Sequence, residues 1–113
     1  MAQLSTHILD LAAGRPAGGV KVELYRGGEL VQSAITNADG RTDTPLLSGE
    51  LIPTGVYELV FHAGDYFRGL GMAPSEPPFL DEVVIRFGVS DSTGKYHVPL
   101  LLSPFGYSTY RGS

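Results

Sequence analysis

The chain has no cysteine, no cluster of lysine and arginine, and no hydrophobic run long enough to cross a bilayer. Each absence excludes a class of explanation. Without cysteine there is neither a disulfide framework nor a thiolate zinc site. With 12 acidic against 8 basic side chains the formal charge is −4, and no basic patch offers a footprint for a nucleic-acid backbone or an anionic membrane surface. No apolar stretch approaches the roughly 20 residues that a spanning helix needs. The start, Met1-Ala2-Gln3-Leu4-Ser5-Thr6-His7, has no basic segment followed by an apolar one. The expectation is a soluble, cytoplasmic protein with no nucleic-acid or membrane partner. Local catalytic motifs are also missing: there is no Gly-x-Ser-x-Gly elbow, no phosphate-cradling glycine loop and no His-Glu-x-x-His.

What is abundant is glycine and proline, 15 and 8 of 113 residues, well above the usual share of about 12%. Charged residues are scarce, at 18% against a usual ~25%. The first implies many turns and the second implies hidden surface. A chain of this length buries roughly two-thirds of its unfolded surface in one core, so residues 1–113 are expected to form a single domain. Turn signals recur at Gly14-Arg15-Pro16, Gly18-Gly19, Gly27-Gly28, Asn37-Ala38-Asp39-Gly40, Pro53-Thr54-Gly55, Pro74 to Pro78, Ser92-Thr93-Gly94 and Ser103-Pro104-Phe105-Gly106. Between them Val20, Val22 and Leu24, then Tyr57, Leu59 and Phe61, then Val83, Ile85, Phe87 and Val89 recur with the period of two that marks strands with one buried face. About eight such segments without long interleaved helices predict an all-β fold, an antiparallel β-sandwich. One stretch, Asp65-Tyr66-Phe67-Arg68-Gly69-Leu70, lacks alternation and predicts a short helix with Asp65 as its N-cap, closing near Gly71.

Parity assigns faces. Leu4, Thr6 and Ile8 point one way, and Ser5, His7 and Leu9 the other. In Tyr96-His97-Val98-Pro99-Leu100-Leu101-Leu102-Ser103, the residues Tyr96, Val98, Leu100 and Leu102 share a face opposite His97, Pro99, Leu101 and Ser103. Both faces are apolar, so the side carrying His97 and Leu101 calls for a second cover, most simply another subunit. Pro99 fits where its position lacks a ladder hydrogen bond. Ser108 and Tyr110 share a parity on the last strand. The outward faces of these three segments could therefore pool at one interface. A lone histidine on a strand is more often hydrogen-bonded or solvated than catalytic, and His62, with no polar companion nearby in sequence, reads as structural. Arg41, just after a turn, could be merely solvated. His7, His62 and His97 share no local metal-ligand spacing, so no metal is expected.

Three segments carry a resemblance: Leu4-Ser5-Thr6-His7-Ile8-Leu9-Asp10, Asp39-Gly40-Arg41, and Tyr96 to Ser103 with the ending Tyr107-Ser108-Thr109-Tyr110-Arg111-Gly112-Ser113. The chain resembles the 5-hydroxyisourate hydrolases, transthyretin-related enzymes of urate degradation, and does so over essentially its whole length. The resemblance implies a transthyretin-like sandwich of eight strands and one short helix. It implies a homotetramer, a dimer of dimers with sites in the channel between them. It also implies hydrolysis of 5-hydroxyisourate to 2-oxo-4-hydroxy-4-carboxy-5-ureidoimidazoline, without metal or cofactor. The implied catalytic set is His7, Arg41, His97 and Ser113, with Tyr110 and Arg111 joining His7 and Arg41 in substrate binding. In the hormone-carrying relatives, the positions of His7, Arg41, His97 and Tyr110 look like Lys, Glu, Thr and Thr. A small-ligand carrier of the same fold is the alternative reading.

Opening a lactam ring by water needs a base, an orienting donor and a cation for the developing oxyanion. Two imidazoles and a guanidinium supply these. Either histidine could serve as base. We take His7 for that role and His97 as the orienting or proton-donating partner, with Arg41 lowering the base's pKa and pairing with substrate oxygens.

Overall fold

The computed structural model describes residues 1–112. The alternating segments form strands as their period requires. β1 (Ala2–Asp10) buries every second residue, from Ala2 through Leu4, Thr6 and Ile8 to Asp10. β3 (Lys21–Arg26) and β6 (Gly55–His62) bury Val22 and Leu24, and Tyr57, Leu59 and Phe61. β2 (Arg15–Pro16), β4 (Glu29–Ile35), β5 (Leu47–Gly49), β7 (Glu82–Val89), β8 (Lys95–Ser103) and β9 (Gly106–Thr109) complete the set. Among the described residues the strands number nine, where the alternation pointed to about eight. β2 and β5, two and three residues long, are too short to show a period.

Two sheets face each other. One runs β2-β1-β8-β9, with β5 also paired to β1, and the other runs β4-β3-β6-β7. Pairing is antiparallel throughout except between β1 and β8, which lie parallel and in register from Gln3↔Lys95 to Asp10↔Leu102. Between the sheets, Leu4, Ile8, Leu100 and Leu102 pack with Val22, Leu24, Tyr57, Leu59, Phe61 and Val83 in one continuous core. Tyr96, Val98, Leu100 and Leu102 all face that core, and the register passes through Pro99 without a slip. The β8–β9 ladder starts at Leu100↔Thr109, so Pro99 sits just beyond it and loses no bond to β9. Among the described residues, no helix is long and apolar enough to cross a membrane.

α1 (Ala63–Gly69) follows β6 as expected but has its N-cap at His62, three residues before the Asp65 that its sequence signal pointed to. Asp65 lies in the first turn and pairs with Arg68 at 2.7 Å, while His62 holds the N-cap position without a side-chain cap bond. The early start is made possible by Gly64, whose N–H bonds to the Asp81 carbonyl and whose missing Cβ leaves room for the Asp81 carboxylate. Tyr66 and Phe67 turn inward. There the Tyr66 hydroxyl donates to Asp10 Oδ2 at 2.7 Å, and the Ala13 N–H donates to Asp10 Oδ1 at 2.9 Å. Asp10 is 2% exposed, so these two donors stand in for water on a buried carboxyl group at the end of β1.

Burial first, and then the bond to Asp10, push the Tyr66 phenol up to about 12. Its unfolded value lies near 10, so this group's contribution to stability is complete below about pH 10 and disappears as the pH rises through about 12. Tyr66→Phe should cost about 1–3 kcal/mol at neutral pH by leaving Asp10 short of a donor, and should remove that part of the alkaline decline. Urea midpoints at neutral and alkaline pH measure both. A midpoint unchanged at neutral pH would show that water replaces the phenol.

Candidate active site

The outward face of β1 carries Gln3, Ser5, His7 and Leu9, and that of β8 carries Lys95, His97, Pro99 and Leu101. Because the two strands run parallel and in register, these residues stand opposite one another in order: Gln3 by Lys95, Ser5 by His97, His7 by Pro99 and Leu9 by Leu101. The two histidines lie one pair apart on adjacent strands, both partly exposed. Ser5 Oγ is 2.9 Å from His97 Nδ1.

Arg41 reaches this face through the turn that follows β4. Asn37 organises the turn: its side-chain oxygen accepts the Asp39 and Arg41 N–H groups, its amide donates to Asp43, and its backbone exchanges bonds with Gly40 and Arg41. The turn docks on β1, where Ile8 N–H donates to the Gly40 carbonyl at 2.8 Å and His7 and Arg41 form a β-bridge. Gly40 is required there. Its φ is +75°, and a Cβ would run into the Ile8 carbonyl oxygen. His7 Nε2 lies 2.8 Å from the Asp39 carbonyl, and a carbonyl can only accept, so this nitrogen carries the proton.

The chain end approaches from the opposite side. The Gly112 N–H donates to the His97 carbonyl at 2.8 Å. A Cβ on Gly112 would stand 2.5 Å from His97 Cδ2, so only glycine lets the chain lie this close to the ring. Ser113, the fourth residue of the expected catalytic set, lies outside the described residues. Gln3, Ser5, Arg41, Lys95, Tyr96 and His97 line an open cleft of ≈ 350 Å³. His97 is held below its ordinary value of 6.5, first by burial and then by the positive charges of Arg41 and His7.

Tyr110 and Arg111 stand apart from this group. β9 ends at Thr109, and the two residues then line a second cleft of ≈ 320 Å³ at the open edge between the sheets, with Ile85, Phe87, Tyr96 and Val98 among its walls. The Arg111 guanidinium sits 4.3 Å from the centre of the Tyr96 ring and bonds to the Lys95 carbonyl at 3.3 Å. Tyr96 faces inward, so stacking on it draws Arg111 away from the outward face. His62 is on the other sheet, where Nε2–H donates to Glu23 Oε1 at 2.6 Å. That bond holds the Glu23 carboxyl below its usual range. Among the described residues, no group of three His, Asp or Glu is placed to hold a metal ion.

Sequence parity found His7 and His97 but missed Ser5, Gln3 and Lys95 as their neighbours. The signal was partly present, since Ser5 shares its parity with His7, but the parallel register that sets it against His97 has no local mark.

Residues 4–112 match the HIUase/Transthyretin family. The chain belongs to that family. Within it, the chain is 56% identical over 115 residues to 5-hydroxyisourate hydrolase 2 of Rhizobium meliloti (strain 1021), covering 98% of this chain and 96% of the relative. Its fold superposes on the structure of Klebsiella pneumoniae 5-hydroxyisourate hydrolase with a TM-score of 0.86 at 39% identity, covering 98% and 99% of the two chains. It also superposes on transthyretin from Sparus aurata, with a TM-score of 0.85 at 29% identity over 97% and 96%. The HIUase/Transthyretin fold thus carries both a hydrolase and a transthyretin, and the difference between them must lie in side chains.

A depressed His97 binds its proton later than the unfolded chain does. Its neutral form therefore supports the fold above the unfolded value, and that support is lost as the pH falls below it. A carbon-detected NMR titration should place His97 below 6.5, and Arg41→Gln should move it upward. An unmoved His97 would mean that the guanidinium does not act on the ring.

Proposed function

We propose that this chain hydrolyses 5-hydroxyisourate, with His7, Arg41, His97 and Ser113 as its catalytic residues. The observation that carries the reading is the convergence of two imidazoles and a guanidinium on one sheet face, in a family whose hydrolase members include a relative 56% identical over nearly the full chain. The substrate is a planar, polar lactam. Water adds to a ring carbonyl, the carbon–nitrogen bond opens, and the leaving nitrogen takes up a proton.

His97 is the better base, in place of the His7 that sequence favoured. Burial and Arg41 keep His97 neutral at working pH, while His7 has committed its Nε2–H to the Asp39 carbonyl. His97 takes the proton from water, and Arg41 faces the oxygen on which charge develops. His7, held by Asp39, orients the substrate or returns a proton to the ring nitrogen. These groups supply the needed roles without a metal or cofactor. Arg111, by stacking on Tyr96, sets the path that brings Gly112 against His97, and in this way it and Tyr110 shape the site.

The single chain leaves the face open. Arg41 is exposed, and Leu9 and Leu101 stand side by side on the same surface. Covering it with a second copy would enclose the cleft and exclude water, and we propose a homotetramer, a dimer of dimers, with the sites where dimers meet.

Ultraviolet decay of 5-hydroxyisourate, generated in place by urate oxidase, tests the reading. Wild-type protein should accelerate the decay, and His97→Asn should lower the rate by about 100-fold or more while leaving the oligomer intact by size exclusion. Arg41→Lys should cost about 2–4 kcal/mol of transition-state stabilisation. No acceleration by a well-folded tetramer would favour the carrier, and ligand binding in the channel would then be the function to measure.

A further inference from the structure

Ser5 stands opposite His97 in the parallel ladder, and the two side chains are half-buried and 2.9 Å apart at Oγ and Nδ1. The contact is fixed on several sides. Next to Ser5, the Thr6 hydroxyl donates to the Val98 carbonyl at 2.7 Å, which ties β1 to β8 at this level. On the other side of His97, Gly112 holds the backbone carbonyl and lies against the ring edge. A ring held in this way has Nδ1 tied to Ser5, and Nε2 is the nitrogen left for proton transfer.

We propose that Ser5 is a positioning residue for the hydrolysis. Its hydroxyl oxygen accepts the His97 Nδ1–H and so selects the tautomer whose Nε2 lone pair takes the proton from the attacking water. This rests on the reading of His97 as the base. A solvated histidine side chain prefers the opposite tautomer, with the proton on Nε2, where that nitrogen is a donor and cannot act as a base. A partner at Nδ1 is therefore needed to populate the useful form.

The surrounding charges act in the same direction. Among the described residues, Arg41 from the turn after β4, His7 on β1, and Lys95 and Tyr96 on β8 are the titratable groups around His97, and Gln3 and Ser5 are the neutral ones. Two permanent cations line the cleft that His97 faces, and they favour a lone pair over an N–H on that side. The same hydroxyl also stabilises the imidazolium, whose Nδ1–H is a stronger donor, so Ser5 offsets part of the depression that burial and Arg41 impose on His97. Ser5 thus keeps the base strong enough to take a proton while the cations keep it empty beforehand.

The test uses the intact protein with Ser5→Ala and Ser5→Thr. Imidazole nitrogen NMR should show His97 with its proton on Nδ1 in the wild type and a mixture of tautomers in Ser5→Ala. In the hydroxyisourate assay Ser5→Ala should lower kcat roughly tenfold with KM little changed. The acid limb of its pH profile should move to lower pH, because the imidazolium has lost its acceptor. Ser5→Thr keeps the hydroxyl and should restore both tautomer and rate. A wild-type spectrum with the proton on Nε2 overturns the proposal, as does a Ser5→Ala protein that keeps the wild-type tautomer and kcat, or one whose loss is confined to KM. A wild-type protein that leaves the decay unaccelerated overturns the hydrolase reading instead, and the nitrogen spectrum still decides whether Ser5 sets the His97 tautomer.

Discussion

The parallel, in-register pairing of β1 with β8 is the constraint on which the site depends. It turns two sequence-distant strands into one platform, with Ser5 beside His97 and His7 one step further along. The pairing is secured from the inside, because Leu4, Ile8, Leu100 and Leu102 are all fully buried, and a shift of β1 by one residue would turn Leu4 and Ile8 outward and bring Ser5, His7 and Leu9 inward. Such a slip would expose two large side chains, at a cost of roughly 1.5–3 kcal/mol each. The core thus enforces the register of the candidate site without touching its polar groups.

Two loops then dock on the platform, and each does so through a glycine. Gly40 lets the Asn37–Arg41 turn lie against the backbone of β1 and deliver Arg41 beside His7, and Gly112 lets the chain end lie against the His97 ring. At either place a methyl group would collide, in one case with a backbone carbonyl that cannot move and in the other with the ring itself. Backbone contact of this kind places a functional group more accurately than side chains meeting at a surface, because the strand ladder is stiffer than any rotamer. Asn37 completes the turn by accepting two N–H groups that would otherwise point into the loop unpaired.

Much of this was legible in the sequence, for definite reasons. The alternation in Val20–Leu24, Tyr57–Phe61 and Val83–Val89 marked strands with one buried face, and parity along Leu4–Leu9 and Tyr96–Ser103 placed His7 and His97 outward before any geometry was known. Two strands, β2 and β5, escaped because two or three residues show no period. The helix start was misplaced because Asp65 is a good cap by composition, while the real start depends on Gly64 meeting Asp81, a contact made across seventeen residues of chain. The parallel sense of β1 and β8 has no local signal at all, and with it went the role of Ser5. The paths of Tyr110 and Arg111 were hidden for a similar reason. A cation stacking on the inward Tyr96 is a tertiary preference that overrides strand parity.

The fold also explains how one scaffold can serve both catalysis and carriage. In the proposed tetramer, a second copy covering this sheet face would turn it into a channel, whose chemistry would be set by the few outward positions of β1 and β8 and by the docked turn. Here those positions hold two imidazoles, a guanidinium, a lysine and a serine, and the cations act on His97 through a low-dielectric, partly buried setting. Positive charge alone would only bind an anion. What distinguishes the set is that burial and neighbouring positive charge hold His97 below its ordinary value, while His7 has its Nε2 proton held by a backbone carbonyl. The two chemically identical side chains thereby meet different surroundings, and that difference arises from backbone placement rather than from residue identity.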